Sequence, residues 1–307
     1  MKKKSIIIFL YFLFNFSFVH SNQVEMFMKI DDEIITDIDI KNEYRYLASV
    51  KNLKTLNKNQ LLEIAKKNVF SDKIKEIDLK KNFDDLILNN EYLNNVIENM
   101  YKNLNLNNFD EFLNYLETNN LTYEFIETKI KINFFWNRLI FMKYSNKIKI
   151  DEDKIKAKIK QQSSNKFVTK YNLSEIVFRA LNEIEMNDTY NKILNDIKNV
   201  NFENAAMINS ISDSKDDGGL IGWVTEDQIN EEISASISTL KSNEISKPIR
   251  IANNFLVLKI NEIDQIKDNE NFETKVKNAI LREQNFQLNQ FSTIYFDRVK
   301  KNLIYNE

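Results

Sequence analysis

Imidazole and thiol chemistry are almost absent from this chain of 307 residues, which has no cysteine and a single histidine, His20, inside an apolar N-terminal stretch. Disulfides, zinc knuckles, iron–sulfur clusters and thiol nucleophiles are therefore excluded, and serine–histidine catalysis goes with them once that stretch is removed. The three glycines, Gly218, Gly219 and Gly222, fall in one five-residue window, and the only proline is Pro248. A phosphate loop or a dinucleotide fingerprint needs glycines opening a helix after a strand at set spacing, so no nucleotide is expected. The acidic clusters Asp151–Asp153 and Asp213, Asp216 and Asp217 do not follow the spacing of a calcium loop and read as solvated turns. No metal and no cofactor are expected. Carboxylates, hydroxyls and apolar pockets remain as the means of any chemistry.

The first residues read as an export signal: Lys2, Lys3 and Lys4, an apolar run from Ile6 to Val19, and small residues at Val19 and Ser21 that suit cleavage after Ser21. That run is shorter than the ~20 apolar residues of a spanning helix. Loss of the three lysines takes the net charge from −2 to −5, which disfavours nucleic acid as a partner. A soluble periplasmic chain with no stable membrane insertion after cleavage is the expectation, and a retained anchor is the alternative.

The segment Glu25–Thr36 reads as a strand, a turn at Asp31-Asp32 and a second strand. Thr36 with Asp39 reads as the capping box of a helix running to about Val50. Apolar residues three, four and seven apart then predict helices as far as about Lys149, including one capped by Asn108 with Glu111 and one from about Tyr123 to Tyr144. The aromatic cluster of that last helix is expected in a helix–helix core. Asp151–Lys160 reads as a charged helical linker. Beyond it come a strand at Tyr171–Phe178, a helix at about Ile184–Lys198, a short turn with Phe202, and the glycine cluster. A helix at about Gln228–Leu240, strands near Ser246–Ile251 and Phe255–Ile260, and a helix at about Asn269–Asn302 complete the chain. The fold class is α+β: N-terminal helices and a C-terminal helix around an inserted α+β domain with a small antiparallel sheet.

Four phrases in order, YNLSEIVF at Tyr171–Phe178, NFENAA at Asn201–Ala206, GGLIGW at Gly218–Trp223 and NEISKPI at Asn243–Ile249, resemble the parvulin-type peptidyl-prolyl isomerase (rotamase) domain. The start MKIDDEIITDIDI followed by helices resembles the SurA family of periplasmic chaperones, shortened here to one parvulin domain. The resemblance implies a signal at 1–21, a helical domain at 22–165, a parvulin-like domain at 166–264 and a C-terminal helix at 265–307 packed on the helical module.

Aligned by phrase, the two family histidines fall on Glu175 and Leu256, and the loop acid or thiol falls near Ser210 or Ser212. The resemblance implies a client- or proline-binding set of Ile229, Ile233, Trp223 and Phe255, with Gly218, Gly219, Gly222 and Pro248 as structural residues. Asn243 and Asn254 stand where the family has glycine and are expected in turns with positive φ. The implied function is ATP-independent holding of unfolded outer-membrane or secreted polypeptides in an apolar groove between the two modules, in aid of outer-membrane protein assembly. Rotation about an X-Pro bond needs no proton transfer, so a working isomerase is the other reading.

Overall fold

The computed structural model describes residues 24–306 apart from 52, 54–55, 163–166, 230, 252–253 and 268–270; the expected signal at 1–21 lies outside them. Strand β1 (Met26–Ile30) turns at Asp31, φ 49°, into the antiparallel β2 (Glu33–Thr36). The capping box forms at α1 (Asp37–Ser49): the Asp39 N–H donates to Thr36 Oγ1 at 3.3 Å, and the Thr36 N–H donates to Asp39 Oδ2 at 2.7 Å. Helices α2 (Lys58–Asn82), α3 (Asn90–Asn103), α4 (Phe109–Thr118) and α5 (Tyr123–Tyr144) follow. At α4 the Asn108 side chain accepts from the Glu111 N–H as expected, but Glu111 reaches back to the N–H of Asn107 rather than of Asn108.

The many asparagines have structural uses. Asn57, Asn89 and Asn108 cap α2, α3 and α4, where a side-chain acceptor contributes ~1 kcal/mol. Asn105, Asn120, Asn201 and Asn243 adopt positive φ, a conformation that a chain so poor in glycine must find elsewhere.

Helix α6 (Glu152–Gln162) is the expected charged segment, but it is not a solvated linker. Ile159 is buried in a small cluster with Val276 and Ala279 of α10 (Phe272–Lys301). That long helix also enters the main helical core, where Tyr295 and Val299 join residues of α1, α2 and α5. Trp136 is buried there as expected, and its indole N–H donates to Ser292 Oγ at 2.9 Å. After α10, the short β7 (Tyr305–Asn306) pairs antiparallel with β1, an element that the sequence reading did not include.

Between α6 and α10 lies a four-stranded antiparallel sheet, in order β4-β3-β6-β5. Its strands are β3 (Phe167–Phe178), β4 (Leu220–Thr225), β5 (Ile249–Ile251) and β6 (Asn254–Lys267). Helices α7 (Glu183–Val200) and α8 (Phe202–Asn209) precede β4, and α9 (Glu231–Ile237) follows it. The expected short turn at Phe202 is thus a helix start, with the turn confined to Asn201 at φ 84°. Helix α9 is shorter than the reading Gln228–Leu240, and β6 runs well past Ile260 because its outer half keeps pairing with the start of β3.

Both faces of this sheet are covered. Tyr171, Leu173 and Val177 of β3 meet Leu256, Leu258 and Ile260 of β6 on one face, with Ile229 and Ile237 above them. Ile176, Phe178 and Val257 point to the other, against Ile193, Phe202, Ala205 and Ala206 of α7 and α8. Period-two alternation with both sides apolar accounts for the consecutive apolar residues Ile176, Val177 and Phe178 that end β3.

Candidate functional site

The glycine turn joins β3 to the loop before β4. A 3-10 turn over Asp213–Asp217 ends on Gly218 and Gly219, at φ 67° and 77°, which deliver the chain into β4. The N–H of Glu175 donates to the Gly219 carbonyl at 2.7 Å. A Cβ on Gly219 would stand 2.2 Å from the Glu175 carbonyl oxygen, closer than any two such atoms can be, so glycine is required there. Asn243 takes the expected positive φ of 69°, whereas Asn254 is drawn into β6 opposite Ile251 instead of sitting in the turn. Pro248 immediately precedes β5.

Glu175 shares the β3 face of Leu173 and Val177 and is half-buried. Its Oε1 accepts from the hydroxyls of Ser212 and Ser214, each at 2.7 Å. Ser210 plays a different part: its Oγ accepts from the backbone N–H groups of Val177 at 3.0 Å and Ser212 at 3.2 Å, which pins the loop to the sheet. Of the two candidate loop positions, Ser212 therefore faces Glu175 and Ser210 is structural. Ser214 completes the cluster and was missed, because no spacing rule ties it to a residue 39 positions away.

The implied binding residues divide between the two sides of the sheet. Ile229, Ile233 and Leu256 lie on the Glu175 face, but Leu256 is 2% exposed and Ile229 7%, so the apolar floor is packed. Phe286 of α10 packs against the same cluster, and the Lys158 ammonium of α6 donates to the Ile229 carbonyl. Trp223 and Phe255 are on the opposite face: Trp223 pairs with Asn172 and lies 4.4 Å beneath the Lys170 ammonium, and Phe255 stacks on Phe178 with centroids 5.7 Å apart. One contact surface containing all four is excluded by strand alternation.

Chemically, an ionised carboxylate is acceptor-only, and it holds both serine hydroxyl protons.

The two modules meet over a second feature. A cavity of about 210 Å³ lies where α1, α2 and α5 face α8 and the 3-10 turn. In place of the expected apolar groove, charged and amide side chains line much of it, Glu43, Lys51, Lys129 and Asp217 among them. Glu43 is 1% exposed; its carboxylate accepts from Lys129 at 2.7 Å and from Asn68 at 3.0 Å, and Lys129 also bonds Asp72 at 2.8 Å. Burial pushes the Glu43 carboxyl above its ordinary range, with Lys129 opposing. Burial also pushes Asp72 up, but Lys129 and Lys75 outweigh it and hold that carboxyl low. Lys51 bonds Asp217 at 2.7 Å across the junction.

Residues 175–262 match the rotamase family, described as the PPIC-type PPIASE domain. The chaperone SurA of Pseudomonas putida is 25% identical over 166 residues, which is 50% of this chain and 38% of that protein, so the chain matches well under half of the relative's length. Among solved structures, one described under two SurA-like chaperones of Campylobacter jejuni is 16% identical, covering 92% of this chain and 98% of the other, at a TM-score of 0.34. PrsA of Bacillus subtilis is also 16% identical, covering 91% and 92%, at 0.28. The sequence matches, rather than these distant structural likenesses, identify the domain. The chain thus carries a parvulin-type domain at residues 175–262 and is similar to the chaperone SurA over half of its length.

Proposed function

We propose that this protein is an exported, ATP-independent folding factor that holds unfolded outer-membrane or secreted polypeptides, and that its parvulin-type domain binds rather than catalyses. The working division is 22–165, 166–264 and 265–307, with 1–21 as a cleaved signal that directs the chain to the periplasm. The observation that carries the reading is the Glu175 cluster: a carboxylate tied to Ser212 and Ser214 stands where the family has a histidine, beside the packed Leu256. The similarity to a chaperone supports holding as the retained task. Small exposed apolar patches, such as Phe109 with Leu113 on α4 and Phe141 with Met142 on α5, suit weak and exchangeable contacts with unfolded chains. No described helix is long and apolar enough to cross a membrane.

An active isomerase is the second reading. Ile233 is only partly buried beside the floor, and amide rotation needs no proton donor. A proline-peptide exchange assay separates the two: a rate at background for the wild type and for Ile233→Trp supports binding alone, and acceleration that Ile233→Trp abolishes supports catalysis. Mass spectrometry of the mature N-terminus tests the signal; retention of residues 1–21 contradicts export by cleavage.

A further inference from the structure

The geometry points to the cavity between the helical module and the parvulin-type domain as a site that binds the main chain of an extended, uncharged peptide segment, through the carboxamides of Asn133 and Asn137. This rests on the proposed holding of unfolded clients and names the part of the client that is recognised.

The charges around the cavity are already matched. Glu43 is neutralised by Lys129 and Lys51 by Asp217, and Lys75 lies over the Trp136 ring at 5.7 Å, in the field of Asp72. A charged occupant would find no single unmatched opposite charge, whereas a neutral polar one loses nothing. Asn68 on α2 is committed to Glu43. Asn133 and Asn137 differ: both line the cavity, both are exposed, and neither carboxamide has a hydrogen-bond partner among the described residues.

They are also one helical turn apart on α5, which at 1.5 Å per residue puts them ~6 Å apart along the axis. The N–H and C=O of every second residue face one edge of an extended chain, at a repeat of ~6.7 Å. Each carboxamide offers an N–H and a C=O, the complement of the C=O and N–H that one residue of an extended chain turns to the same edge. A strand running along α5 can therefore bond both asparagines with its main chain, whatever its sequence, while the pliable Met207 side chain of α8 accommodates its side chains. Such recognition suits a protein that must accept many unfolded partners.

The test uses the full chain and two fluorescein-labelled probes in anisotropy titrations: a ten-residue peptide of alternating Thr and Val, and its depsipeptide in which an ester replaces every backbone amide. Two lost N–H donors should weaken binding of the ester to wild type about tenfold. The double variant Asn133→Ala/Asn137→Ala should lose about as much affinity for the peptide and no longer distinguish the probes. Both positions are exposed, so circular dichroism is expected to be unchanged. Equal binding of the two probes by wild type, unchanged discrimination in the double variant, or no binding of either probe by wild type overturns the proposal. If wild type still suppresses aggregation of an unfolded protein in those cases, the holding function stands without this site. If it discriminates the probes but suppresses no aggregation, the site stands and the holding function falls.

Discussion

Replacing Gly219 with alanine should damage the parvulin-type domain far more than the same change at Gly222. Both residues have positive φ, 77° and 86°, so each substitution carries the backbone strain of an L-residue in that region, ~1–2 kcal/mol. At Gly222 that is the whole effect, because a new Cβ meets nothing within 4 Å. At Gly219 the methyl carbon would lie 2.2 Å from the Glu175 carbonyl oxygen and 3.1 Å from Ala206 Cβ. Strand β3 must move, at an overpacking cost of ~1–3 kcal/mol. The 2.7 Å bond from the Glu175 N–H to Gly219 is put at risk too, worth ~1 kcal/mol. Gly219→Ala should therefore cost ~3–6 kcal/mol against ~1–2 for Gly222→Ala. Amide hydrogen exchange read by mass spectrometry on peptides from β3 gives the local opening energy directly. The slowest β3 amides should exchange at least about tenfold faster in Gly219→Ala than in Gly222→Ala. Equal exchange in the two variants would refute the claim that close approach to Glu175 fixes the glycine.

Lys129→Met removes the cation shared by Glu43 and Asp72 and should destabilise the helical module by ~3–5 kcal/mol, because a buried carboxylate is left unpaired. Without Lys129 burial acts on the Glu43 carboxyl with its main opposing cation gone, so its folded-state pKa lies further above the unfolded value. Stability from such a group is present at low pH and lost as pH rises through the folded pKa, so the deficit in urea midpoints should be smallest near pH ~4 and grow towards pH ~8. A deficit independent of pH contradicts the shared-cation account. Ser292→Ala leaves the buried Trp136 indole N–H without its acceptor and should cost ~1–3 kcal/mol, measured by thermal unfolding; no shift would mean that α10 is not tied to the module through that bond. Asn243→Gly should be neutral or slightly stabilising at φ 69°, whereas Asn243→Val should cost at least ~1 kcal/mol, and the reverse order would contradict the left-handed turn.

Much of the fold was legible because local rules are strong where they apply. Thr36 with Asp39 and the 3.6-residue pattern of α5 depend on neighbours in sequence, and both appear as read. The asparagine in place of glycine at Asn243 follows from backbone sterics alone. What was not legible depends on partners distant in the chain. The charged pattern of α6 hides Ile159, whose burial is decided by α10. Strand β7 is two residues long and exists only because β1 offers an edge. Alternation along β4 and β6 fixes that Trp223 and Val224 point opposite ways, and likewise Phe255 and Leu256, but not which face carries Glu175. The polar junction likewise needs α1, α2 and α5 assembled before Glu43, Asp72 and Lys129 can be seen to share one bond network.

The central claim is that the chain holds unfolded proteins without nucleotide. Light scattering of a urea-unfolded outer-membrane β-barrel protein, diluted into buffer free of ATP with the mature chain in stoichiometric excess, tests it most directly. The account expects the scattering to be suppressed in proportion to the chain added. Scattering that rises as fast as in its absence would contradict it.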